Sequence, residues 1–293
     1  MIVRPTAGGV EVLAPAKLNL FLEVLGKRPD GYHELESLMV AVDLYDTLSF
    51  ADDASGRVTL RCDDPSLPTD GRNLVVKAAE RLRAESGCPR GAAIELRKSI
   101  PAQAGLAGGS SDAAAALVAL DRLWELNTPP GRLSELAGEI GSDVPFFLHG
   151  PAAVCRGRGE RVEELAPPRA LHFVLVCPEV GLSTADVYRH VTPPARPRPI
   201  GPVVQALAGG GTAALGSCLF NRLQSPAEEL APVLRHVRDG LAELVGPSLD
   251  GSLMSGSGSA YFGLARDRGA AEDAARRLET LGLGRVRVVT SGP

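Results

Sequence analysis

Apolar positions along the first half of the chain change period several times. Val10–Leu25 and Asp46–Arg61 read as strands, Asn73–Ser86 as a helix stopped at Gly87, and Ala93–Lys98 as a strand ended by proline. Ser110–Leu126 reads as a helix with Leu117, Leu120 and Trp124 on its buried stripe, and Leu133–Ile140 as a shorter one stopped by Gly141. Strands and helices interleave without the regular alternation of a doubly wound sheet, so the class is α+β. In the second half, Leu171–Cys177 is a short apolar run between prolines, the pattern of a buried strand. Leu230, Val233, Leu234, Val237, Leu241 and Leu244 line one face of a helix over Glu228–Val245. Strands at Ser252–Met254 and Ser259–Leu264, a helix over Ala270–Leu281 and a strand at Val286–Val289 complete a β-α-β-β-α-β order, with extra helical material in its first crossover. That order is the ferredoxin-like one.

Proline and glycine punctuation is densest at 166–170 and 192–202, with a Gly209–Gly211 loop beyond. It places a junction between residues 1–167 and 168–293, and 293 residues suit two domains of roughly 150 each. The 44% hydrophobic and 23% charged fractions are those of a globular protein. A net charge of −4 without Lys/Arg blocks argues against a nucleic-acid backbone as partner. The apolar runs are too short to span a bilayer, and the first residues lack the apolar core of a signal peptide. Cys62, Cys88, Cys155, Cys177 and Cys218 form no C-x-x-C pair or disulfide framework, and the five histidines match no zinc motif. A cytoplasmic protein with free thiols and no metal of its own is expected.

Five segments carry candidate chemistry. Pro101-Ala102-Gln103-Ala104-Gly105-Leu106-Ala107-Gly108-Gly109-Ser110-Ser111 joins a strand to a helix. Converging backbone N–H groups and a helix N-terminus suit a phosphate cradle there, while the plainer reading is a glycine turn with Ser110 as N-cap. The loop has no Lys-Ser/Thr after its glycines, so it is not a Walker loop, and no G-x-G-x-x-G occurs in the chain. Lys17 and Asn19 share one face of an otherwise apolar strand, toward either a polar pocket or, taken alone the simpler choice, water. Asp143 in Gly141-Ser142-Asp143-Val144-Pro145 reads alone as a helix cap, and Asp30–Glu34, with Tyr32 and His33, as a surface turn. Leu253–Ser259 joins two strands through Gly256 and Gly258, as a plain hairpin or as backbone approaching a ligand closely.

Occurring together and in this order, A-P-A-K-L-N, P-x-x-x-G-L-x-G-G-S-S and S-G-S-G-S resemble the three signature motifs of the GHMP small-molecule kinases. The stretches around D-G-Y-H-E-L, N-L-V-V-K-A-A and G-S-D-V-P-F-F resemble the branch that phosphorylates the 2-hydroxyl of a cytidine-diphosphate methylerythritol, and the likeness runs from about Ala14 to Leu264. It implies a two-domain fold, with a mixed α/β nucleotide-binding domain followed by the ferredoxin-like one. It also implies ATP and Mg²⁺ as cofactors, small molecules as the other partners, and a monomer or weak homodimer. By position, Asp143 would be the general base, with Lys17 keeping it ionised. Residues 101–111 would bind ATP, the loop from Gly105 to Ser111 wrapping the triphosphate with Ser110 or Ser111 near phosphate or metal, and Asn73 and Lys98 would lie toward the adenosine end. Asn19, Tyr32, His33 and Tyr188 would handle the substrate, His33 reading the cytosine edge between stacking tyrosines, and Gly256 and Gly258 would close on it. Kinases of homoserine, mevalonate or sugars share the phosphate loop but not D-G-Y-H-E-L, and retention of both Lys17 and Asp143 argues against a non-catalytic nucleotide-binding relative. Three departures stand out. Gln103, Ala104 and Ala107 replace frequent glycines, Arg222 and Gln224 replace two acids, and Tyr188 stands where phenylalanine occurs.

Overall fold

The computed structural model of the chain describes residues 1–166, 169–209 and 211–292. Pro167 and Pro168, at the expected junction, and Gly210 lie outside the described residues. The chain divides into two compact units. One comprises Met1–Ala16, Leu44–Ile100 and Ala107–Gly150, and the other Lys17–Asp43, Pro101–Leu106 and Pro151–Pro293.

In the first unit, β1 (Ile2–Thr6) forms a hairpin with the start of β2 (Gly9–Lys27), whose Val10, Val12 and Ala14 alternate inward. The second half of β3 (His33–Asp53) pairs antiparallel with β5 (Gly91–Arg97), which pairs in parallel with β4 (Val58–Cys62). The single strand expected over Asp46–Arg61 is therefore two. A turn interrupts it, with Ser55 N donating to the Asp53 carboxylate and Gly56 at φ +73°, and β5 inserts between the halves. The earlier part of β3, which belongs to the second unit, escapes an alternation test because Leu38–Val42 are all buried, as in a strand covered on both faces. Three helices follow: α1 (Leu74–Ser86), α2 (Gly108–Leu123) and α3 (Pro130–Ile140), with a 3₁₀ turn at Pro145–Leu148. Ala113–Ala116 and Ala119 let α1 pack closely on α2, and the Trp124 indole donates to the Gly91 carbonyl at 3.1 Å.

In the second unit, the first part of β3 pairs with β6 (Ala152–Gly157), itself in a hairpin with β7 (Arg161–Glu164). A separate antiparallel sheet follows from β8 (His172–Cys177), β10 (Leu249–Met254), β11 (Tyr261–Ala265) and β12 (Arg285–Thr290). Its order, β10-β11-β8-β12, is the ferredoxin-like one the element sequence implied, with α9 (Arg268–Glu279) as the second crossover. The first crossover holds α4 (Thr184–Arg189), α5 (Gly201–Gly209), α6 (Thr212–Ser217), β9 (Phe220–Asn221), α7 (Gln224–Leu230) and α8 (Val233–Ala242). The one helix expected over Glu228–Val245 is thus broken at Ala231-Pro232, where proline has no N–H to continue it, and Leu230 and Val233 are exposed rather than on the buried face.

Candidate active site

The glycine-rich segment leaves β5 and enters α2 through a backbone with alternating left-handed residues: Gln103 (φ +53°), Gly105 (φ +75°) and Ala107 (φ +55°). Such alternation turns successive N–H groups toward a common concavity that suits an anion. Ala107 is the N-cap of α2 and no side chain caps this end, so Ser110 lies inside the first turn and the capping reading of it fails. The first N–H groups of α2 are accordingly left to an external acceptor, with the positive end of the helix dipole behind them. Gly105 admits no side chain, because a Cβ would lie 2.0 Å from the Ser255 carbonyl oxygen. Two of the three departures from glycine, Gln103 and Ala107, fall on left-handed positions and hold strain of about 1 kcal/mol each. Ala104 does not.

Lys17 and Asn19 do share a face of β2, and that face is not solvated: their relative exposures are 2% and 1%. The Lys17 ammonium donates to Asn19 Oδ1 and, at 2.7 Å, to the Gly105 carbonyl. Asn19 Nδ2 donates to Ser37 Oγ at 2.8 Å, and Ser37 Oγ in turn to the Phe21 carbonyl. From the glycine turn after β10, Ser255 Oγ accepts from Asn19 N and donates to the Gly105 carbonyl at 3.0 Å. Gly256 is in the left-handed region, and a Cβ there would sit 2.9 Å from Lys17 Nζ. Lys17, Asn19, Gly105 and Gly256 therefore converge, and the turn is backbone in close approach rather than a plain hairpin. Gly258 (φ +82°) shapes the same turn against the Met254 sulfur.

Lys98, at the end of β5, reaches a buried pair of carboxylates. Its ammonium donates to Asp46 and, at 2.8 Å, to Asp112, just past the first turn of α2. Asp46 Oδ1 also accepts from the backbone N–H groups of Ser99 (2.6 Å) and Ile100 (2.9 Å). Burial works against the Lys98 charge, but the two carboxylates outweigh it and raise its pKa. Burial pushes the Asp112 carboxyl up to about 7, Lys98 opposing and Asp46 adding to the rise. Asn73 is the N-cap of α1: its Oδ1 accepts from Val75 N and its Nδ2 donates to the Pro68 carbonyl.

His33, opening β3, stacks on Tyr188 of α4 with ring centroids 5.3 Å apart and 29° between planes. Burial, assisted by Lys27, lowers the imidazole pKa, which keeps the ring neutral near pH 7 with one nitrogen donor and one acceptor. Tyr32 is half-exposed and carries the Arg158 guanidinium over its face at 4.8 Å. Asp143, in the first unit, is partly buried and does not cap the following 3₁₀ turn, whose N-cap is Val144 without a side-chain bond. Sequence reasoning missed Ser37, Ser255, Asp46 and Asp112. Ser255 stands in the third glycine motif, where it was readable, whereas Asp46 sits in an apolar strand with no local signal.

The chain matches the GHMP kinases N terminal domain over residues 73–151 and the GHMP kinases C terminal domain over residues 203–282. It is 46% identical to the 4-diphosphocytidyl-2-C-methyl-D-erythritol kinase of Pelotomaculum thermopropionicum over 92% of this chain and 93% of that one. To the enzyme of that name from Exiguobacterium sibiricum it is 41% identical over 86% and 88%. A crystal structure of 4-(cytidine 5'-diphospho)-2C-methyl-D-erythritol kinase superposes with a TM-score of 0.79 at 39% identity, covering 97% of this chain and 99% of the other. A homoserine kinase from Cytophaga hutchinsonii, 22% identical with a TM-score of 0.78 over 100% and 97%, shares the fold. Identity at this level across nearly the whole length, with both domain models matched, places the chain in the 4-diphosphocytidyl-2-C-methyl-D-erythritol kinase family of the GHMP kinases.

Proposed function

We propose that the chain transfers the γ-phosphoryl group of ATP to the 2-hydroxyl of 4-diphosphocytidyl-2-C-methyl-D-erythritol, giving ADP and the 2-phosphate on the methylerythritol phosphate route to isoprenoid precursors. The observation that carries this reading is the buried Lys17 ammonium seated on the Gly105 carbonyl, within a chain whose relatives bear that enzyme's name. Phosphoryl transfer asks mainly for positioning and charge stabilisation. Residues 101–111 bind the triphosphate through backbone N–H groups, Asn73 and Lys98 support the adenosine end, and Lys17 orients the hydroxyl while Asp143 accepts its proton. Asn19 fixes the Lys17 ammonium, and Gly256 and Gly258 bring backbone up to the substrate. His33 reads the cytosine edge, and Tyr32 and Tyr188 offer ring faces.

The oxygen donors at the start of α2 fit Mg²⁺: Ser111 Oγ and Asp112 Oδ1 are buried and have no hydrogen-bond partner. They would hold the ion, which would supply neutralisation of phosphate charge. Residues 1–167 would be the ATP-binding domain and 168–293 the ferredoxin-like domain. The scattered thiols suit a reducing cytoplasm and the small acidic charge argues against a nucleic-acid partner, while a monomer or weak homodimer acting away from membranes is the state proposed. The test is ADP release with Mg-ATP and 4-diphosphocytidyl-2-C-methyl-D-erythritol, with homoserine and mevalonate in parallel. Turnover of the cytidine compound alone is expected, and turnover of another acceptor would discard the roles given to Tyr32, His33 and Tyr188.

A further inference from the structure

Asn221 is a buried amide with every strong hydrogen-bonding group committed. It lies in β9, which runs parallel to β2 with Leu22 opposite Asn221, and Arg222 N donates to the Leu22 carbonyl at 2.8 Å. Its Nδ2 donates to the carbonyls of both Met254 (2.8 Å) and Gly256 (2.7 Å), and its Oδ1 accepts from Leu223 N at 2.9 Å. The amide can be oriented only one way, since a flip would set its oxygen against two carbonyl oxygens. The two carbonyls flank Ser255, whose hydroxyl shares the Gly105 carbonyl with the Lys17 ammonium. A second strut joins the same parts, Ala260 N donating to the Ala104 carbonyl at 3.0 Å. The amide thus fastens the turn on both sides of Ser255, and the turn carries the hydroxyl that shares the Gly105 acceptor with Lys17.

We propose that Asn221 is a positioning residue: by gripping the carbonyls on both sides of Ser255 it holds that hydroxyl against Gly105 and so sets the place of the Lys17 ammonium. The proposal rests on the reading of Lys17 as a catalytic group. Displacing such a group by about 1 Å costs up to a hundredfold in rate.

The experiment compares kcat and both KM values for Asn221→Asp, Ser255→Ala, the double variant and Lys17→Ala, each normalised to the folded fraction from a thermal melt. Asn221→Asp keeps the shape but turns a donor into an acceptor facing two carbonyls. We expect kcat to fall about ten- to a hundredfold with KM for ATP and for the cytidine substrate within about threefold, and the double variant to lose no more than the larger single loss. A folded Asn221→Asp enzyme with a lower Tm and unchanged kcat would make the residue merely structural and overturn the proposal. If that variant does not fold, Ser255→Ala decides, and unchanged kcat there overturns it equally. Lys17→Ala separates the two layers. Wild-type turnover in it would remove the underlying reading and the proposal together, whereas lost turnover in it beside unchanged kcat in Asn221→Asp would remove the proposal alone.

Discussion

Replacing Asp112 by asparagine isolates a titration that the fold imposes on the start of α2. The Asp112 side chain is 3% exposed, Asp46 is wholly buried, and both face the Lys98 ammonium. Burial and the Asp46 charge raise the Asp112 carboxyl to about 7 despite Lys98, from 3.8 when unperturbed. Between those values the folded protein holds a proton that the unfolded chain has released. The stabilisation from this group is therefore complete below about pH 4 and is lost as pH rises through about 7. A carboxyl perturbed to that extent carries on the order of 2–4 kcal/mol, the lower figure allowing for relaxation around the ion. Asparagine is isosteric, still offers Oδ1 to Lys98, and does not titrate. In urea unfolding of both proteins from about pH 4 to about pH 8, the midpoint of the wild type should fall relative to Asp112→Asn by roughly 1 M. Taking the difference cancels the groups that do not touch Asp112, including Glu85, whose pairing with Arg132 lowers its pKa and works in the opposite direction. Parallel curves would show that Asp112 titrates alike in both states, and the argument from burial would be wrong.

Three further outcomes follow from the site. Asp143→Asn should lose turnover by a factor of about a hundred or more with ATP affinity within about threefold, measured by nucleotide titration, because the group is assigned to the hydroxyl proton. His33→Ala should raise KM for the cytidine substrate by about tenfold or more and leave KM for ATP unchanged, and equal losses toward both would remove its recognition role. Arg222→Asp, which restores the acid expected at that position, should destabilise the fold by about 3–5 kcal/mol in denaturant titration. The buried Glu23 carboxylate would exchange its bidentate guanidinium partner, at 2.7 and 2.8 Å, for a like charge.

What the sequence made readable was whatever is written within a few neighbouring residues. The α1 boundaries, the Leu117–Trp124 stripe and the ferredoxin-like strand order all follow from local period and caps, and all appear in the structure. The breaks went unread where one residue type overrode a good pattern, as Pro232 does in an otherwise helical face and Gly56 does in an otherwise continuous strand. The placing of Lys17 needed partners from far along the chain: only with Ser37, Gly105 and Ser255 in place does a lysine in an apolar strand become a buried ammonium rather than a solvated one. The departures at Arg222 and Gln224 show the same dependence. Read locally, each is a lost acid. In the fold, Arg222 neutralises the buried Glu23, and Arg198 and Arg222 lie over the Phe220 ring at 4.2 and 4.8 Å. Gln224 donates to Glu228, which also accepts from Tyr261 and Arg238, while its own oxygen accepts from Met254 N. A carboxylate at position 224 would face Glu228 with no donor between them. The two substitutions therefore answer acids already buried at 23 and 228, and they keep the segment around Asn221 in place with its charges balanced.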